Sequence, residues 1–160
     1  MCLSEQFFQD KILTVGTQSF LVLPIEAAVQ CNLNKPHVII GITDPGAHPV
    51  KFEDNPNRLG LLRLSFSDVK ENISPKVQRM TMEQGNQVVE FVEQHSGTNP
   101  IYVIHCTAGI SRSPAVAAAI AALNGANVLC FWEKFLPNGH VFSNILTCHA
   151  MKKWGENKKD

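Results

Sequence analysis

The stretch IYVIHCTAGISRS, Ile101 to Ser113, decides the fold. Ile101 to His105 is a β-branched and aromatic run that predicts a strand. Ser113-Pro114 then opens a helix through Ala115 to Leu123, because serine suits a cap and proline a first helical turn. Asn124-Gly125 closes it. This helix is apolar on nearly every side, which assigns it to the centre of the molecule. Between strand and helix lies Cys106-Thr107-Ala108-Gly109-Ile110-Ser111-Arg112. A loop in that position turns successive backbone N–H groups inward and forms a concave nest for an anion. The positive end of the following helix points at the same place. Gly109 permits a backbone conformation that a side chain would hinder, and the small Thr107 and Ala108 keep the nest open.

The residue types in the loop carry chemistry as well as shape. The helix end, the loop amides and Arg112 all favour Cys106 as a thiolate, the nucleophilic form of cysteine. Arg112 offers a planar fork that grips two phosphoryl oxygens, a geometry lysine lacks. With the amides of Thr107, Ala108, Gly109, Ile110 and Ser111, it would stabilise the charged oxygens of a phosphoryl transition state. The Ser113 hydroxyl can donate to the sulfur and ease its departure. His105 is expected to order the loop through a backbone carbonyl and is not assigned as a base.

These residues, H-C-x-x-G-x-x-R-S, resemble the signature of the cysteine-dependent protein tyrosine phosphatases. The match is closest to the small dual-specificity branch and its compact bacterial relatives. The resemblance implies an α/β fold with a central, mostly parallel sheet flanked by helices, and hydrolysis through a phosphocysteine without cofactor or metal. It also implies phosphate, sulfate or vanadate as active-site ligands, and a phosphorylated protein or small phosphate ester as substrate. It extends over about Leu59 to Leu146, with Pro137-Asn138 matching a family pair that follows the loop's helix. The first 58 residues carry no distinctive match. Asn138 resembles the family asparagine that braces the active-site loops; a turn or an N-cap explains it equally well.

Cleavage of a phosphate ester needs a proton for the leaving oxygen. In the resembling family an aspartate on a mobile loop before the nucleophile supplies it. Asp68 holds that place, just past the strand Gly60–Phe66, and strand ends of a parallel sheet share one crevice. Glu71 is the substitute acid. Asp44 is a second competitor, although Asp44-Pro45-Gly46 also reads as an ordinary turn after the strand His37–Thr43. No lysine lies between Thr107 and Ser111, which argues against a polyphosphorylated substrate. A phosphate-binding pseudophosphatase and a phosphatase of small molecules or nucleotides are the competing functions. Arsenate reductase chemistry is less well served, since no resolving cysteine lies near Cys106, and a sulfur transferase would not need an acid at Asp68.

Outward from this core the pattern alternates strands and helices, as an α/β fold requires. Phe20–Leu23 reads as a short strand, followed by a helix from Pro24 through Val29. Ser74-Pro75 reads as the start of a helix carrying Val77, Met80, Val88, Phe91 and Val92 and ending near Ser96-Gly97. Helices are expected at 128–135 and 141–154, and 152–160 reads as a solvated tail. Trp132 and Trp154 read as packing residues.

The chain of 160 residues suits one domain. Fourteen basic and fourteen acidic residues leave no net charge, so the total gives no electrostatic support for nucleic-acid binding. Five cysteines without paired spacing point to a reducing, cytoplasmic setting. The early charges Glu5, Asp10 and Lys11 do not fit a signal peptide. The longest apolar run, Ala115–Leu123, is too short to cross a bilayer.

Overall fold

The computed structural model describes residues Cys2 to Lys159. Helix α1 (Glu5–Lys11) leads into an antiparallel pair, β1 (Leu13–Val15) and β2 (Gln18–Pro24). A short α2 (Ile25–Ala28) precedes β3 (His37–Thr43) and β4 (Arg58–Ser65). Then follow α3 (Met82–His95), a 3₁₀ turn at Ser96–Thr98, β5 (Ile101–Cys106), α4 (Arg112–Leu123), α5 (Leu129–Lys134) and α6 (Gly139–Asn157). The sheet order is β1-β2-β5-β3-β4, and only the β1 edge is antiparallel. The nucleophile strand β5 is therefore central. The C-terminal ends of β2, β3, β4 and β5 all open onto one edge, where open parallel sheets bind ligands.

Side-chain alternation along the strands divides the core in two. Val38, Ile40, Ile42, Tyr102, Ile104 and Cys106 face α3, α4 and α6. Leu21, Leu23, Ile39 and Val103 face Phe8, Ala27, Ala28 and Leu33 on the other side. Every α4 residue from Arg112 to Ala121 is buried, in keeping with its unbroken apolar sequence. Alanines at 115, 117, 118, 119 and 121 let the helix sit close to the sheet and to α6.

Two expectations need correction. Helix α3 starts at Met82, not at Ser74-Pro75. Ser74 instead forms a tight turn with Val77, each N–H meeting the other's carbonyl. The true start is a capping box: Thr81 Oγ1 accepts from the Gln84 N–H, and the Gln84 side chain accepts from the Thr81 N–H. A cap of this kind is worth about 1 kcal/mol. The segment 152–160 is not a frayed tail throughout, because α6 continues to Asn157. Lys152 anchors it through a 2.6 Å contact with Glu93 of α3. Helix α1 and strand β1 have no counterpart among the expected elements.

His37 is buried at the start of β3, with its Nδ1 2.8 Å from the Lys35 carbonyl. Burial pushes its pKa down; the Lys35 carbonyl opposes this, and Arg58 adds to it. A histidine pKa held below its ordinary value of about 6.5 means stability that is present above that pH and lost as pH falls through the folded pKa. The unfolding midpoint should thus drop on going from about pH 7 to about pH 5, and drop less in His37→Gln. An identical drop in the variant would assign the effect to other groups.

Candidate active site

The loop between β5 and α4 is wound around the Cys106 sulfur. The Gly109 N–H donates to Sγ at 3.3 Å, and the Ser113 hydroxyl lies 3.2 Å from it. Cys106 and Ser113 are both buried. Gly109 has φ +68, and a Cβ there would fall 2.7 Å from the Pro24 nitrogen and 2.8 Å from the Leu23 carbonyl carbon. Glycine is thus required twice, for the left-handed backbone and for the close approach to the end of β2. The Ile25 N–H donates to the Thr107 carbonyl at 3.1 Å and fixes the loop from the same side.

Arg112 is buried at the first position of α4. Its Nη1 donates to Asp44 Oδ1 at 2.7 Å and to the Phe66 carbonyl at 2.8 Å. Its Nη2 donates to Thr107 Oγ1 at 3.1 Å. Nη1 is fully used in holding the guanidinium, while Nε and the second Nη2 hydrogen are left for a ligand. Asp44 is therefore an arginine anchor, a role the sequence reading did not assign to it. The sheet order makes the pair: β3 lies beside β5, so the turn after Thr43 meets the loop after Cys106.

Asp68 lies just beyond β4, exposed, with Oδ1 accepting from Ser111 Oγ at 2.8 Å and from Asn138 Nδ2 at 2.9 Å. Asn138 Nδ2 also approaches the Val69 carbonyl at 3.3 Å. The other end of the same amide caps α6, its Oδ1 accepting from the N–H groups of His140 and Val141 at 3.0 and 3.2 Å. The two readings of Asn138 thus describe two ends of one side chain. Backbone bonds from Leu136 to Ile110 and from Asn138 to Ser111, both 3.0 Å, fasten this segment to the loop. The excursion after Asp68 is closed at its base by Ser67 and Gln78, bonded in both directions. Glu71 lies further along this excursion, on an open trough beside Asp68.

His105 departs from expectation. Its ring is on the opposite face of the sheet from Cys106, with Phe52 at 5.8 Å between centroids. Its Nε2 lies against Gly41, where a Cβ would come within 2.6 Å. Nδ1 is buried without a well-aligned hydrogen-bond partner, with the Cys106 backbone the group nearest to serving as one. Burial lowers the ring's pKa and so do Arg63 and Arg112, while proximity to the Cys106 backbone opposes them. Among the described residues, no three His, Cys, Asp or Glu side chains are grouped to hold a metal ion.

The sheet order, the central β5-loop-α4 unit and the flanking helices make this the fold of the cysteine-dependent tyrosine phosphatases in their compact dual-specificity form. Two of the solved structures that share it illustrate the likeness. The human tyrosine phosphatase-like serine/threonine/tyrosine-interacting protein superposes with a TM-score of 0.57 at 18% identity, over 83% of this chain and 92% of that one. A variant of human DUSP28 gives a TM-score of 0.57 at 14% identity, over 84% and 92%. No family model matches the sequence, and no curated protein matches it significantly.

Proposed function

We propose that this chain hydrolyses phosphate monoesters of proteins, on phosphotyrosine and phosphoserine or phosphothreonine, through a phosphocysteine on Cys106. The observation that carries this reading is the placement of the sulfur. It is buried within the loop, bonded by the Gly109 N–H and the Ser113 hydroxyl, with the guanidinium of Arg112 held by Asp44 and bonded to Thr107 of the same loop.

The steps follow from these contacts. The Cys106 thiolate attacks phosphorus, and the ester P–O bond breaks as the leaving oxygen takes a proton from Asp68. The amides of Thr107 to Ser111 and the free edge of Arg112 hold the equatorial oxygens, whose charge they match best in the transition state. Both hydrogen bonds to Asp68 fall on Oδ1, which leaves Oδ2 to carry the proton. Water then attacks the phosphocysteine and gives its proton to the Asp68 carboxylate. The S–P bond breaks, the Ser113 hydroxyl donates to the departing thiolate, and inorganic phosphate leaves. No cofactor or metal is needed.

The described residues act as one phosphatase domain. Cys2, Cys31, Cys106, Cys130 and Cys148 are all free thiols, which fits a reducing, cytoplasmic compartment. None of the described helices is long and apolar enough to cross a membrane.

The test is turnover of an aryl phosphate by purified protein. Hydrolysis that vanadate inhibits competitively, with phosphate trapped on Cys106 by acid quench, supports the reading. Phosphate binding without any turnover would make the protein a phosphate-recognition module and overturn it.

A further inference from the structure

Thr43 precedes Asp44, the arginine anchor, and His105 precedes the nucleophile. Strand alternation places both on the face of the sheet opposite the Cys106 sulfur. The parallel register sets Gly41 beside Arg63 and His105, and Thr43 beside Ser65. With Pro49 and Val50 of the β3–β4 connection, these residues line an open cavity of about 160 Å³. It lies at the C-terminal ends of three parallel strands, the edge of such a sheet where ligands bind. Gly41 makes the room. A Cβ there would stand 2.6 Å from His105 Nε2, so a bare backbone is what lets this edge of the ring reach the cavity floor.

The polar lining is one-sided. Arg63 brings a permanent positive charge, and among the described residues that line the cavity there is no carboxylate. Asp44, between Thr43 and Ala47, is bonded to Arg112 instead. Arg63 is held in place: its Nη1 donates to the Val50 carbonyl, and its guanidinium lies 5.6 Å from the centre of the Phe52 ring. Val50 takes one of five N–H donors. His105 is 1% exposed, and its Nδ1 lacks a well-aligned partner. After burial, Arg63 and Arg112 are what hold its pKa down, so the ring sits in a positive field. Such a field, enclosed by donors, attracts an anion. One permanent cation matches one negative charge, and Pro49 and Val50 add apolar wall. We propose that this cavity binds a small aliphatic carboxylate, its oxygens on Arg63 and His105 and its short chain against Pro49 and Val50. A bound carboxylate reverses the field at His105 and draws a second proton onto the ring. The occupant touches the residues just before Cys106 and Asp44 without entering the nest, so the site is separate from that of the phosphoryl group.

The test is a titration of the full chain with sodium propionate at neutral pH and constant ionic strength, with propionamide as the uncharged control. The histidine ring-nitrogen NMR resonances report it, and comparison with His105→Gln identifies those of His105. They should move toward the doubly protonated form and saturate with a Kd of about 1 mM, as suits a ligand of few heavy atoms. Arg63→Gln should weaken binding about tenfold, and Ser65→Ala about threefold. Both side chains are exposed, so neither substitution disturbs the core. Absence of a saturable movement would overturn the proposal, as would an equal response to propionamide. Unchanged affinity in Arg63→Gln would also overturn it. Displacement of propionate by inorganic phosphate would place the carboxylate in the Cys106 nest and overturn it as well.

Discussion

Cys106→Ser should reduce aryl phosphate hydrolysis to background, a loss on the order of 10⁵-fold or more, as for removal of other enzymatic nucleophiles. Serine occupies the same space and can accept the Gly109 N–H and meet the Ser113 hydroxyl, so the loop has no reason to unfold. The loss comes from chemistry. A serine hydroxyl holds its proton at neutral pH and needs an adjacent base to become a nucleophile. The adjacent histidine cannot be that base, because strand alternation sends His105 to the other face of the sheet, against Gly41 and Phe52. Binding of inorganic phosphate, which depends on the amides and Arg112, should persist in the variant. Steady-state kinetics and a phosphate titration of the same preparation check both halves. Residual turnover above about one part in a hundred would show that Cys106 does not form the intermediate.

Asp68→Asn should lower kcat for a phenyl ester by about 10²- to 10⁴-fold, the usual contribution of a positioned general acid. Two further readouts separate proton donation from a structural role. With a nitro-activated leaving group, which departs without help, the loss should shrink. The decline in rate at rising pH, where a general acid gives up its proton, should disappear. Asparagine can still accept from Ser111 and Asn138 at its Oδ1, so the bridge across the site need not break. Equal losses for both leaving groups would show that Asp68 only holds the loop in place, and Glu71 would then be the acid to test.

The parts of the molecule legible in the sequence were those whose signals are local. The β5-loop-α4 unit is written in one unbroken stretch, Ile101 to Leu123, and β3 spans the same residues, His37–Thr43, that its β-branched run predicts. Asp68 was reached through the family resemblance and its place just past a strand, and its carboxylate is bonded to Ser111 of the loop and to Asn138. Elements that depend on partners were harder to see. Helix α1 is seven residues long and buries only Phe8, so it has almost no periodic signal of its own. Ser74-Pro75 carries a valid helix-start pattern, but a turn with Val77 claims it, while Thr81-x-x-Gln84 supplies the cap that was overlooked. The pairing of Asp44 with Arg112 depends on β3 lying beside β5, a consequence of strand order that no local pattern announces.

The amide of Asn138 has a consequence for what else could occupy that position. Its oxygen is committed to two N–H groups at the start of the 19-residue α6, so its nitrogen is obliged to face Asp68. Aspartate would satisfy the helix as well as asparagine does. It would, however, set a second carboxylate against the first, with no hydrogen to offer at neutral pH. The two residues are near-synonyms to the helix and opposites to the carboxylate of Asp68. A demand for the helix alone would tolerate either; a demand for the bond to Asp68 would distinguish them by a single nitrogen.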